Sequence, residues 1–287
     1  SLPEGRTSAC LESIPPTVRR RTALDSTRAA ALVLKAEGVH PGAGRDTRET
    51  IEMKRLALAA AIIAATAIAP AAAQADPTPF GNACSPFHTV RFCPATDLSQ
   101  RPTSFDGTPI DADVTLPATG TGPWPTIVMV HGYGGSKTSY ESSSDPTTDG
   151  LNNVSYAARG YAVLNISERG FGRSCGHDTA TRTTGCDHGY VHLMDTRYEA
   201  HDAQYLLGLL VDAGIADPAK LGATGGSYGG GATLELAYLK NRVRNADGTY
   251  SAWTSPVNHT PMTLAAGYAM IPWSNLASAL VPNGRYV

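Results

Sequence analysis

The sequence predicts an α/β fold: a doubly wound, mostly parallel sheet with helices on both faces. Three observations predict it. The runs 126–130 and 161–166 are continuously apolar, as strands buried on both faces must be. Helical periodicity alternates with them, as in Ala203, Leu206, Leu207 and Leu210 at i, i+3, i+4 and i+7. Glycine-rich turns follow directly on strand ends at 132–135 and 225–230.

Composition narrows the function classes. With 42% apolar residues, a chain of 287 can bury a sizeable core. Charged residues make up only 17% and the net charge is -2, which excludes a nucleic-acid binder working through bulk charge. No apolar run reaches the roughly 20 uninterrupted residues of a membrane span, so no stable membrane anchor is expected.

Along the chain, residues 1–52 lack helical or strand periodicity and read as an upstream extension or a disordered segment. Residues 53–75 read as a secretory signal peptide. Met53-Lys54-Arg55 is its basic start, Leu56 to Ala69 its apolar core, and Ala73 and Ala75 the small residues before a cut at Asp76. Secretion would leave Cys84, Cys93, Cys175 and Cys186 in an oxidising compartment. Four cysteines allow three pairings; short-range closure favours Cys84 with Cys93 and Cys175 with Cys186. Zinc is the rival, but neither pair has finger spacing.

Residues 76–105 form a disulfide-stapled start, and 106–287 the α/β domain. Phe105-Asp106-Gly107-Thr108 signals a hairpin turn, and Ile110 to Leu116 an alternating strand stopped by Pro117. Strands are expected at Thr126–Val130, Tyr161–Ile166, Lys220–Thr224 and Leu264–Met270. Helices are expected at Asn153–Arg159, from near Asp195 to just before Gly214, and at Gly231–Lys240, with Asp217-Pro218 as a turn.

Gly225-Gly226-Ser227-Tyr228-Gly229 fits Gly-x-Ser-x-Gly between a strand and a helix, the setting of a nucleophilic serine on a sharp turn. The plain alternative is a glycine-rich phosphate loop. After Val130, the run His131-Gly132-Tyr133-Gly134-Gly135 is placed to supply an oxyanion donor. The donors would be the Tyr228 backbone N–H together with Tyr133, while His131 reads as a structural strand cap. Glu168-Arg169-Gly170-Phe171-Gly172-Arg173-Ser174 follows the next strand, and Arg169 reads as a structural pin before a catalytic group. His177, His188 and His192, among Asp178, Asp187 and Asp195, match no standard metal-ligand spacing, so neither metal nor cofactor is expected.

These motifs, in this order, resemble the Xaa-Pro dipeptidyl-peptidase family of serine hydrolases, which includes cocaine-esterase-like acyl hydrolases of the α/β-hydrolase fold. The likeness also rests on Arg159-Gly160-Tyr161-Ala162-Val163, Pro272-Trp273-Ser274-Asn275-Leu276 and Pro282-Asn283-Gly284. The resemblance implies Ser227 as nucleophile, the Tyr228 N–H and the Tyr133 hydroxyl as oxyanion donors, and an acid and a histidine later in the chain. The expected substrate is a peptide with an N-terminal Xaa-Pro, with a small ester as the alternative. Asp247 and His259 follow Ser227 too closely to be the acid and the base, and Asp247-Gly248 reads as a turn. The expectation is therefore a C-terminally truncated α/β-hydrolase with its acid and histidine beyond Val287. Alone, such a piece would be an inactive fragment or a binding-only pseudo-hydrolase.

Overall fold

The computed structural model describes residues 75–141 and 150–280. The upstream segment 1–52, the leader up to residue 74 and Pro282-Asn283-Gly284 lie outside the described residues.

A seven-stranded mixed sheet runs in the order β1-β2-β3-β5-β4-β6-β9. Its strands are β1 (Ser85–Phe87), β2 (Val90–Cys93), β3 (Ala112–Pro117), β4 (Trp124–Val130), β5 (Ala162–Ile166), β6 (Ala216–Gly226) and β9 (Leu264–Met270). The first four in sheet order pair antiparallel, whereas β5, β4, β6 and β9 are parallel. A separate ribbon joins β7 (Arg242–Arg244) to β8 (Tyr250–Ala252). The helices are α1 (Asn153–Ala157), α2 (Glu199–Asp212), α3 (Tyr228–Leu239) and α4 (Leu276–Leu280).

The central strands bury both faces, which is why they read as continuous apolar runs. Val128, Val130, Leu164 and Ile166 join the larger core with Leu206, Leu207 and Leu210 of α2 and Leu236 of α3. Met129 and Val163 point the other way, into a smaller cluster with Val154 and Ala157 of α1. Sheet and helices together are the α/β-hydrolase fold.

Three expectations need correction, and the alternating strand β3 is covered on both faces, Asp113 and Thr115 being as buried as their apolar neighbours. Asp113 takes the Lys137 ammonium at 2.6 Å and the Ala95 N–H at 2.6 Å, and Thr115 Oγ1 accepts from Asn153 Nδ2 at 2.9 Å. Helix α2 starts at Glu199, because Asp195 is used by an Asx turn onto the Arg197 N–H at 2.9 Å. Asp217-Pro218 lies inside β6, at an irregularity in its pairing with β4. Helix α3 begins at Tyr228 rather than Gly231, its glycine-poor propensity overridden by packing.

The structure joins Cys84 to Cys93 and Cys175 to Cys186, with Cα separations of 4.1 and 5.5 Å. Two disulfides fit an oxidising compartment. Among the described residues no helix is long and apolar enough to cross a membrane.

Candidate active site

Three loops meet at the C-terminal ends of the parallel strands: 131–136 after β4, 168–174 after β5, and the turn between β6 and α3. Ser227 is the single residue between β6 and α3. Its backbone stands at φ 56°, ψ -113°, a region L-residues avoid, and its side chain side of the turn is exposed. Such strain persists only where the surroundings over-determine it. Here the Ser227 N–H donates to Met270 O of β9 at 3.0 Å, and the Gly226 N–H to Tyr140 Oη at 3.1 Å.

The motif glycines are required by close approach. A Cβ on Gly229 would lie 2.0 Å from Val130 O, and one on Gly225 2.4 Å from the same atom. The turn is thus wedged against the end of β4, from which the oxyanion-side loop departs. Gly229→Ala is expected to force this contact apart and lower stability by about 1–3 kcal/mol, read as a lower denaturant midpoint.

As the first residue of α3, Tyr228 has an N–H with no partner inside the helix. Its buried ring packs edge-on against Phe171 and Tyr133, at centroid distances of 5.6 and 5.4 Å; Tyr133 and Phe171 are 5.1 Å apart. This trio draws one residue from each loop to the same spot. Tyr133 is 66% exposed, so its phenol is open to a ligand.

His131 is fully buried. Its Nδ1–H donates to Gly132 O at 2.7 Å, while Nε2 accepts from the Glu168 N–H at 2.9 Å. Burial pushes its pKa down. With both nitrogens engaged it ties two loops together and is no base. Arg169 is likewise buried and pins Asp202 through Nε and Nη2 (2.7 and 2.6 Å) and Asp106 through Nη1 (2.8 Å).

Asp247 and His259 are engaged within their own loops. The Asp247 carboxylate accepts from the Thr249 N–H at 2.9 Å, closing a turn. The loop holding His259 is fastened to Asp212 by the Val257 and Asn258 N–H groups. Asp212 ends α2 about 20 Å along the helix from Glu199, at 1.5 Å per residue. Among the described residues no side chain hydrogen-bonds Ser227 Oγ. His192 stacks between Tyr190 and Tyr198, at 4.1 and 3.8 Å, and no cluster of three metal-ligating residues occurs among the described residues.

Two features of the site escape sequence reasoning: the Tyr140 hydroxyl behind the turn, and a group of carboxylic acids beneath Tyr228. Glu168, Glu199 and Glu235 come together only through the fold. No local spacing marks them.

Residues 106–278, more than half of the chain, match the family model of the X-Pro dipeptidyl-peptidase (S15 family). No curated protein matches. Solved structures that the chain resembles include an acetyl xylan esterase from Paenibacillus sp. R4, 22% identical, with TM-score 0.39, covering 71% of this chain and 59% of that one. A bacterial heroin esterase is 19% identical, with TM-score 0.32, covering 67% and 46%. A Mycobacterium tuberculosis puromycin-hydrolyzing peptidase is 27% identical, with TM-score 0.34, covering 52% and 21%. The chain therefore spans less than two thirds of the length of these proteins. On the family match and on its sheet, the chain belongs to the X-Pro dipeptidyl-peptidase family S15, built on the α/β-hydrolase fold.

Proposed function

We propose that the protein is a secreted serine hydrolase that cleaves by acyl transfer at Ser227, with peptides bearing an N-terminal Xaa-Pro as substrate. One observation carries this reading: Ser227 alone occupies a strained strand-to-helix turn, held by Gly225 and Gly229 against β4. In the reaction Ser227 Oγ attacks the carbonyl while a base removes its proton. The carbonyl oxygen, now negative, is met by the Tyr228 N–H and the Tyr133 hydroxyl; the adduct collapses, the scissile bond breaks as the base returns its proton to the leaving group, and water, deprotonated by the same base, then frees the acyl group from Ser227. The base would be a histidine, oriented by an Asp or Glu. The two disulfides agree with secretion.

Fluorophosphonate treatment of the full-length protein should give one adduct, mapped to Ser227 and absent from Ser227→Ala. Labelling that survives the substitution would remove the nucleophile assignment. Tyr133→Phe should lower kcat by about 100- to 1000-fold, the usual loss for one oxyanion donor, without moving the unfolding midpoint. Unchanged kcat would assign that task to backbone groups.

A small ester is the second reading. It is favoured by the burial of Glu168 and Glu199 beneath Tyr228, where neither can greet a substrate ammonium. Comparing kcat/KM for an Xaa-Pro anilide and a short-chain ester separates the two.

A further inference from the structure

The segment 192–195, next to the site, is unusually strained. Leu193 and Met194 are consecutive residues at positive φ, 58° and 62°, which costs on the order of 1–2 kcal/mol each for side chains of this kind. Three hydrogen bonds hold it, and a fourth joins the two side chains that accept them. Glu199 Oε1 accepts from the His192 N–H at 2.6 Å and Oε2 from the Asp195 N–H at 3.1 Å. Tyr228 Oη accepts from the Met194 N–H at 3.2 Å and donates to Glu199 Oε1 at 3.4 Å. One carboxyl group thus fastens a strained loop and, through a phenol, the residue that follows Ser227.

We propose that Glu199 is a positioning residue for the reaction at Ser227: by gripping Tyr228 Oη and the 192–195 segment together, it fixes the Tyr228 N–H in the oxyanion position. This rests on the reading of Ser227 as the nucleophile. Tyr228 has little other polar restraint. Its ring, 3% exposed, packs edge-on against Phe171 and Tyr133, contacts without polar direction, so that direction comes from the hydroxyl end.

The surroundings make the grip sensitive to pH. Facing Glu199 are Glu168 and Arg169 from the loop after β5, Asp202 of α2, Glu235 and Tyr228 of α3, and His192 and Asp195 of the strained segment. Glu168 is fully buried and neither of its carboxyl oxygens has a partner. Burial raises Glu199 to about 7 against the pull of the His192 N–H, and burial with Glu199 beside it raises Glu235 to about 8. A carboxyl whose folded pKa lies above its unfolded value contributes stability that is lost as pH rises through the folded pKa. Opening of the segment should therefore become easier as pH rises from about 4.5 to about 7, the window between the exposed and the folded carboxyl, and change little above it.

Amide hydrogen exchange on the full-length protein, between about pH 4.5 and 8, tests this together with Ser227 labelling. In Glu199→Ala, peptides covering 191–196 and 227–231 should lose protection about tenfold or more, the worth of one strong hydrogen bond, while those of β4 and β5 keep theirs. Fluorophosphonate labelling of Ser227 should slow by a similar factor. Glu199→Gln keeps a carbonyl for Tyr228 Oη and has no charge to gain. It should retain most of the protection and lose the decline between about pH 4.5 and 7 seen in the wild type. If Glu199→Ala loosens 191–196 but leaves 227–231 and the labelling rate unchanged, the positioning role is overturned while the nucleophile stands. If Ser227→Ala still labels, the nucleophile reading falls and the proposal with it. Should the alanine variant lose β4 and β5 protection as well, the wild-type and glutamine pH profiles decide, and identical profiles overturn the proposal.

Discussion

Arg169→Met is expected to destabilise the protein by about 3–5 kcal/mol, the cost of stranding buried carboxylates by removing their cation. The guanidinium is wholly buried. Its fork faces Asp202, 1% exposed, and Asp106, 16% exposed, and it also donates to His188 O at 3.2 Å. Phe105 and Tyr198 flank it, each ring centroid 5.3 Å from the guanidinium carbon. Methionine replaces the stem without the fork, so Asp202 keeps only Ser104 Oγ as a side-chain donor. Lysine is no substitute, since one ammonium cannot match two carboxylates in the plane of a fork. The damage should reach the site, because Arg169 ties the 104–109 turn and α2 to the loop that carries Phe171 under Tyr133. Urea unfolding at constant m-value measures the loss. Adding Asp202→Asn to Arg169→Met should recover part of it, because the orphaned charge is the larger share of the cost. A double variant as unstable as the single one would place the cost in lost packing instead.

The parallel sheet is legible in the sequence because its strands are buried on both faces, so burial writes itself as a continuous run. Leu264–Met270 agrees residue for residue with β9. The turn at Ser227 is legible for a related reason: a Cβ at Gly225 or Gly229 would lie within 2.5 Å of Val130 O, a constraint that any sequence folding this way must meet locally. What is not legible is what the fold assembles from distant parts. Asp113 alternates with Val114 as a solvent-facing residue would, and only the arrival of Lys137 from another strand end makes it a buried ion-pair partner. Glu199 looks like an ordinary acid in the first turn of a helix, where the dipole welcomes it. Its grip on Tyr228 needs α2 and α3 to be packed side by side. The start of α3 is missed because Gly229, Gly230 and Gly231 argue against a helix, and tertiary contacts outvote that preference.

Lys137→Met should cost about 3–5 kcal/mol for the same physical reason, and its effect on the site should be more direct. Lys137 is 7% exposed, and its ammonium meets Asp111 Oδ1 at 2.9 Å, Asp113 Oδ1 at 2.6 Å and Ala95 O at 3.1 Å. Its backbone is held as well, the N–H by Ser167 Oγ at 3.0 Å and the carbonyl by Asn165 Nδ2 at 3.3 Å. It opens the short 3-10 turn Lys137–Tyr140, with Tyr133 a few residues before it and Tyr140, whose hydroxyl receives the Gly226 N–H, at its end. The ammonium therefore anchors the strip of chain that bears the proposed oxyanion phenol on one side and a support of the Ser227 turn on the other. Glu141 shares the pocket, and burial, with Asp113 beside it, pushes its pKa up to about 9, so at neutral pH it adds no third negative charge. Because that folded pKa lies above the unfolded one, the Glu141 contribution is full below about 4.5 and is lost as pH rises through about 9. The wild type should accordingly weaken over that window and Glu141→Gln should flatten the decline. In Lys137→Met the two aspartates lose their ammonium, and Arg173, its Nε 4.0 Å from Asp111 Oδ2, is the cation left beside them. A Lys137→Met protein whose unfolding midpoint matches the wild type at neutral pH would mean that water replaces the ammonium at no cost, and the anchoring role of Lys137 would be withdrawn.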